Sequence, residues 1–162
     1  MKLLKHSGAG WKYGLEPKEG MLLRALAAEF SPTSATNVKI TRTRADSRSA
    51  ERERLLNESL AQHRQELKRQ AGKLLAARLK PGKADWQLSL NAADREILLQ
   101  LLNDIRVESW HALDEPENLD ALPPPPSEMD LRHYHLMQLA GYFEWKLLEE
   151  TVDSSSPCDT KL

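Results

Sequence analysis

Cysteine, glycine and aromatic residues are all scarce in this chain, and each scarcity excludes something. The single cysteine, Cys158, cannot close an intrachain disulfide, so stability must come from packing, as suits a reducing cytoplasm. Seven scattered glycines form neither a phosphate-cradling loop nor a dinucleotide fingerprint, and no Gly-x-Ser-x-Gly elbow occurs. No apolar run approaches the roughly 18 residues of a membrane span, and Met1–Gly10 has only Leu3 and Leu4 as an apolar pair among lysines. Neither a span nor a secretion signal is expected, and a cytoplasmic location follows. A dominant charge is missing too: 23 Lys and Arg face 24 Asp and Glu, which removes any general attraction to nucleic acid or anionic membrane. What remains is 162 residues with 40% apolar and 29% charged side chains, the make-up of one globular domain with a charged exterior.

One pattern occurs twice, at an offset of 75 residues. Trp11, Tyr13 and Leu15 alternate at period two, as do Trp86, Leu88 and Leu90, which marks a short strand with one buried face. Each then meets a helix start. Glu16 precedes Pro17, a residue favoured at the first helical position, and Asn91 is a good N-cap with Asp94 three residues on. Leu22, Leu23, Leu26 and Phe30 in the first helix, and Ile97, Leu98, Leu101, Leu102 and Ile105 in the second, recur at helical spacing and should face a core. The two strands are expected to pair as a minimal ribbon, in a direction the pattern leaves open, with Trp11 and Trp86 close together in the packed interior.

Between these units, Ser31–Ala45 reads as a loop, and a helix should run from Asp46 or Ser49 to Leu79, stopped by Lys80-Pro81-Gly82. Its stripe is Leu56, Leu60, Leu67, Ala71, Leu74 and Leu75. Some 30 residues would span about 45 Å, more than a core of this size needs. Either the apolar-poor turns Ala50–Arg54 project or the helix bends near Gly72. Asp114–Ser127, with the run Pro123–Pro126, reads as a stiff spacer, and a last helix should span Glu128–Val152. The expected fold is therefore mainly α, a helical bundle with a small two-stranded β ribbon built from two strand-helix units. Residues 1–152 form one domain and 153–162 a mobile tail.

Taken in order, Trp11-x-Tyr13-x-Leu15-x-Pro17-x-Glu19, Leu55-Leu56-Asn57-Glu58-Ser59, Leu102-Asn103-Asp104-Ile105-Arg106 and Gly141-Tyr142-Phe143-Glu144-Trp145 resemble an uncharacterised bacterial family, the domain of unknown function numbered two thousand and seventeen. The likeness covers roughly Trp11 to Thr151, and its motifs are structural rather than catalytic. It implies a small, mostly helical bacterial cytoplasmic protein with no assigned substrate. Members are often encoded beside the proteolytic adaptor ClpS, which makes that pathway a candidate context. The acidic, proline-rich insert before the last helix departs from the family's pattern, and no functional residue carries over.

Candidate chemistry is sparse. Lys39–Arg54 has six cations against three acids, a local charge of +3, and Arg42, Arg44, Arg48, Arg52 and Arg54 form the candidate interaction surface. The interleaved Glu51 and Glu53 favour a self-paired, solvated face over phosphate contact. His6, His63, His111, His133 and His135 do not make a metal site: His133 and His135 point about 200° apart on a helix, and Asp130 with His133 is only one pair. Cys158, in the tail, has nothing to hold a base beside it. Asn57, Glu58, Asn103, Asp104, Arg106 and Glu144 lie near apolar stripes, with Glu58 and Arg106 an expected interhelical ion pair. The reading is a non-enzymatic protein-interaction or adaptor domain without cofactors or metal. Its partner would be ClpS or a second copy of itself. The alternatives are nucleic-acid binding through residues 39–54, and an enzyme built around Glu58, Arg106 and Glu144.

Overall fold

The computed structural model describes residues 1–8, 10–30, 47–115 and 127–149. Its elements run β1 (Lys2–Ser7), β2 (Gly10–Leu15), α1 (Pro17–Glu29), α2 (Ser47–Arg78), β3 (Leu79–Pro81), β4 (Trp86–Leu90), α3 (Ala92–Ala112) and α4 (Glu128–Glu149). The fold is mainly α. The expected two-stranded ribbon is a four-stranded antiparallel sheet in the order β1-β2-β4-β3. The predicted strands are its central pair, and each is flanked by a partner that the alternation did not reveal. The expected loop before α2, the proline run and the tail lie outside the described residues.

The duplication is deeper than the sequence pattern shows. Lys5 pairs with Lys12 and His6 with Trp11 in the first hairpin, while Lys80 pairs with Gln87 and Pro81 with Trp86 in the second, the same register 75 residues on. The central strands pair Trp11 with Leu90, Tyr13 with Leu88 and Leu15 with Trp86. Residue 13 moved by 75 is residue 88, so the two units are related by a pseudo-twofold axis through the Tyr13–Leu88 pair, and both side chains are fully buried. The core repeats as well: Leu15, Leu23, Leu26, Ala27 and Phe30 are buried, and so are Leu90, Leu98, Leu101, Leu102 and Ile105.

Antiparallel pairing puts the two tryptophans at opposite ends of the β2–β4 ladder, not side by side as expected. Each is covered by a helix of the other unit. Arg24 of α1 lies 4.5 Å from the Trp86 ring centroid, and Arg95 of α3 lies 4.9 Å from that of Trp11. Gly20 allows the first contact, since a Cβ there would lie 2.5 Å from the Trp86 ring. Gly20→Ala is expected to destabilise the protein by about 1–3 kcal/mol through overpacking. That exceeds the gain in helix propensity, at most about 1 kcal/mol. Urea unfolding checks this, and an unchanged or raised midpoint would show that Trp86 swings aside freely.

Helix ends follow local chemistry. The Glu16 N–H donates to Glu19 Oε2 at 2.8 Å, and the Asp94 N–H donates to Asn91 Oδ1 at 2.7 Å, so both units open with the expected cap. At the other end of α1, Lys68 of α2 donates to the carbonyls of Ala28 (3.1 Å) and Phe30 (2.6 Å), a cation closing a helix C-terminus. Arg95 does the same for α4 at the Leu147 carbonyl, 2.6 Å away. Helix α3 ends with Asp114 (φ 63°) and Glu115 (φ 54°) in the left-handed region. Burial would raise the Glu19 carboxyl, but hydrogen bonds from the Met1 ammonium, the Tyr142 hydroxyl and the Glu16 N–H hold it below 4.5, while burial and Glu19 push the Tyr142 hydroxyl up to about 12.

Candidate interaction surface

Helix α2 is 32 residues long, about 48 Å, whereas α1, beside which it packs, has only 13. Its carboxy half is anchored by Leu67, Ala71, Leu74 and Leu75, all buried. Its amino half is not. From Ala50 to Glu66 no side chain is buried, and Leu55, Leu56 and Leu60 are 53%, 41% and 42% exposed. The stripe expected to face the core thus enters it only at Leu67. The projecting part extends well past the predicted Ala50–Arg54, and the helix runs through Gly72 to Arg78 without the alternative bend breaking it.

Charges along this arm pair with one another. Arg54 donates to both Glu51 oxygens (3.1 and 2.8 Å) and to Glu58 (2.6 Å), while Glu66 accepts from Arg69 and from Gln70 (2.7 Å). The Arg54 hydrogen bond holds the Glu51 carboxyl below its usual range and raises the guanidinium, and Arg69 with Gln70 brings Glu66 down to about 2. Both carboxylates are favoured ionised by the helix, so their support is present above pH 4.5 and disappears as the pH falls through their lowered values. Helical circular dichroism from the arm should therefore fall between pH 4.5 and 2. A signal flat over that range would contradict the pairing.

Of the candidate arginines, Arg52 and Arg54 are exposed on this arm. Arg54 is engaged as described, and Arg52 has no ion-pair partner among the described residues. Arg48 lies in the first turn of α2, while Arg42 and Arg44 fall outside the described residues. The expected Glu58–Arg106 pair does not form: Glu58 bonds Arg54 on its own helix, and Arg106 of α3 bonds Glu144 of α4. Helix α2 is instead tied to α3 by Arg64 with Asp104, 4.0 Å apart, and by Arg78 with Asp94, 3.2 Å apart. Burial pushes the Asp104 carboxyl up, partly offset by Arg64 and His63.

No protein-family model, curated protein or solved structure matches the chain. The surface must therefore be interpreted from its own chemistry. Among the described residues no group of three or more His, Cys, Asp or Glu side chains is placed to hold a metal ion. His111 bonds Glu115 at 2.8 Å, and His133 and His135 differ in environment, the first partly buried and the second exposed. Among the described residues no helix is long and apolar enough to cross a membrane. Sequence reasoning passed over Glu108 and Ser109, which the fold buries at 8% and 1% exposure. They stand three and four residues beyond Ile105, so the helical period already placed them on the inward face.

Proposed function

We propose that the protein is a non-catalytic interaction domain that presents the amino half of α2 as a docking arm. The observation that supports this most is the run Ala50–Glu66, helical yet without a buried side chain, with Leu55, Leu56 and Leu60 exposed between charges that satisfy one another. An isolated helix of that length is marginal in water, and an apolar strip with a neutralised surround suits a protein groove better than phosphate. The partner is a protein, either ClpS, on the family resemblance, or a second copy of this chain. Phosphate contact through Arg42, Arg44 and Arg48 is the weaker reading because Arg54 is already occupied. A gel-shift series with those three changed to alanine tests it by its salt dependence.

The direct test is light scattering with and without ClpS, then affinity capture from lysate, using wild type and a Leu55→Lys, Leu56→Lys, Leu60→Lys variant. The three changes should each alter stability by less than about 0.5 kcal/mol, as exposed sites do, and should reduce capture at least tenfold. A strictly monomeric wild type with no reproducible partner, or a variant that captures the same partner equally well, contradicts the proposal.

A further inference from the structure

The end of α1 and stretches of α3 and α4 line a cavity of about 200 Å³ that opens to the surface. Five polar side chains line it: Glu29 from α1, Glu108 and Ser109 from α3, and Arg132 and His133 from α4. Glu108 is only 8% exposed, and its carboxylate has no hydrogen-bond or ion-pair partner among the described residues. The His133 Nδ1 atom is buried and likewise makes no hydrogen bond. Glu108 and His133 are not paired with each other, and both residues line the same cavity. A carboxylate without a partner on a residue this buried is costly, and native interiors rarely keep one without a use.

The charge of the lining gives the sign of what fits. Glu29 and Glu108 are the carboxylates, and Arg132 is the guanidinium, already bonded to Glu29. Two negative charges against one positive leave the cavity with an unmatched Glu108. Its remaining walls are apolar, including Phe30 and Leu136. A primary ammonium has three donors and no acceptor, so it suits the unmatched Glu108 carboxylate, with which it forms a charge-assisted hydrogen bond. Volume limits the rest: an engineered cavity of about 150 Å³ takes benzene, so a stem of about four to eight carbons fits here.

We infer that this cavity is a binding site for a primary ammonium group carried on a short apolar stem. Its source is either a free small amine or a lysine side chain of a polypeptide. The site is separate from the α2 arm and does not depend on the docking proposal.

The test is heteronuclear NMR titration of the full chain with n-butylammonium, phenethylammonium, n-pentanol as the neutral match, and a capped Ala-Lys-Ala peptide. The expected result is saturable shifts at residues around Glu108 and His133 with the amines, the peptide or both, and binding of n-pentanol at least tenfold weaker. Shifts from the amines alone assign the site to free amines; shifts from the peptide assign it to polypeptide lysine. Glu108→Gln, which keeps the shape and removes the charge, should weaken ammonium binding at least tenfold while leaving the unfolding midpoint unchanged or raised. No saturation by any ammonium at 10 mM (roughly −3 kcal/mol or weaker), equal binding of n-pentanol, or undiminished binding by Glu108→Gln would overturn the inference. The n-pentanol comparison on wild type decides the matter even where the variant does not fold.

Discussion

Phe143→Ala is expected to cost about 3–5 kcal/mol, enough to leave little folded protein if total stability is near the low end of the usual 5–15 kcal/mol. Phe143 is fully buried in the carboxy half of α4, between Ala140 and Leu147, which are buried as well, and α4 packs along α3 in the most extensive helix pairing among the described residues. Truncation removes a ring whose neighbours belong to several elements, so the space it leaves cannot close by a single helix shifting. Leu148→Ala, one turn further on and 44% exposed, should cost less than about 1 kcal/mol. Urea unfolding of both variants measures the contrast. Similar losses at the two positions would mean that α4 does not present Phe143 to a common core.

A pair of proline substitutions should separate the two halves of α2 by an even clearer margin. Proline inside a helix removes a hydrogen bond and clashes with the preceding turn, at about 3 kcal/mol or more. At Gly72, flanked by the buried Ala71, Leu74 and Leu75, that cost falls on the core, because the turn that breaks also positions those side chains. Gly72→Pro should therefore lower global stability by at least about 3 kcal/mol. Ser59→Pro lies among exposed residues of the arm. It should remove helical circular dichroism signal yet leave the unfolding midpoint of the core within about 0.5 kcal/mol of wild type. If Ser59→Pro unfolds the whole protein, the arm is part of the core after all.

The parts of this fold that could be read beforehand are those where a side-chain period coincides with burial. Trp11, Tyr13 and Leu15 alternate because β2 is a central strand with one face on the helices, and the same holds for Trp86, Leu88 and Leu90. Strand β1 was invisible because an edge strand with lysines at positions 2 and 5 buries almost nothing and has no alternation to display. Strand β3 was hidden inside the helix stop at Lys80-Pro81, where a proline on a sheet edge is tolerated. Leu56 and Leu60 continue the spacing of Leu67, Ala71 and Leu74 without a break. Which part of that stripe is covered depends on the length of α1, a fact located elsewhere in the chain.

Site residues divide along the same line. The Arg54–Glu51 contact follows from a spacing of three on one helix and fits the expected self-paired face, whereas Arg54–Glu58, at a spacing of four, was missed because Glu58 was assigned to Arg106. Glu58 with Arg106 failed because it required knowing how far α2 travels beside α3 before leaving it; Arg64 and Arg78, not Glu58, pair with α3. Glu108 and Ser109 were passed over because a polar residue on an apolar period looks like the end of the stripe. His133 was weighed only as a metal ligand, although its place in the cavity wall depends on α4 packing against α3.

The central claim is that α2 is one helix with two environments, a carboxy half within the duplicated core and an amino half outside it. Amide hydrogen exchange along Ser47–Arg78 measures this residue by residue. The account requires protection close to that of the global unfolding reaction from Leu67 onward, falling by several orders of magnitude across Ala50–Arg64 in the isolated protein. Uniform protection along the whole helix would contradict it.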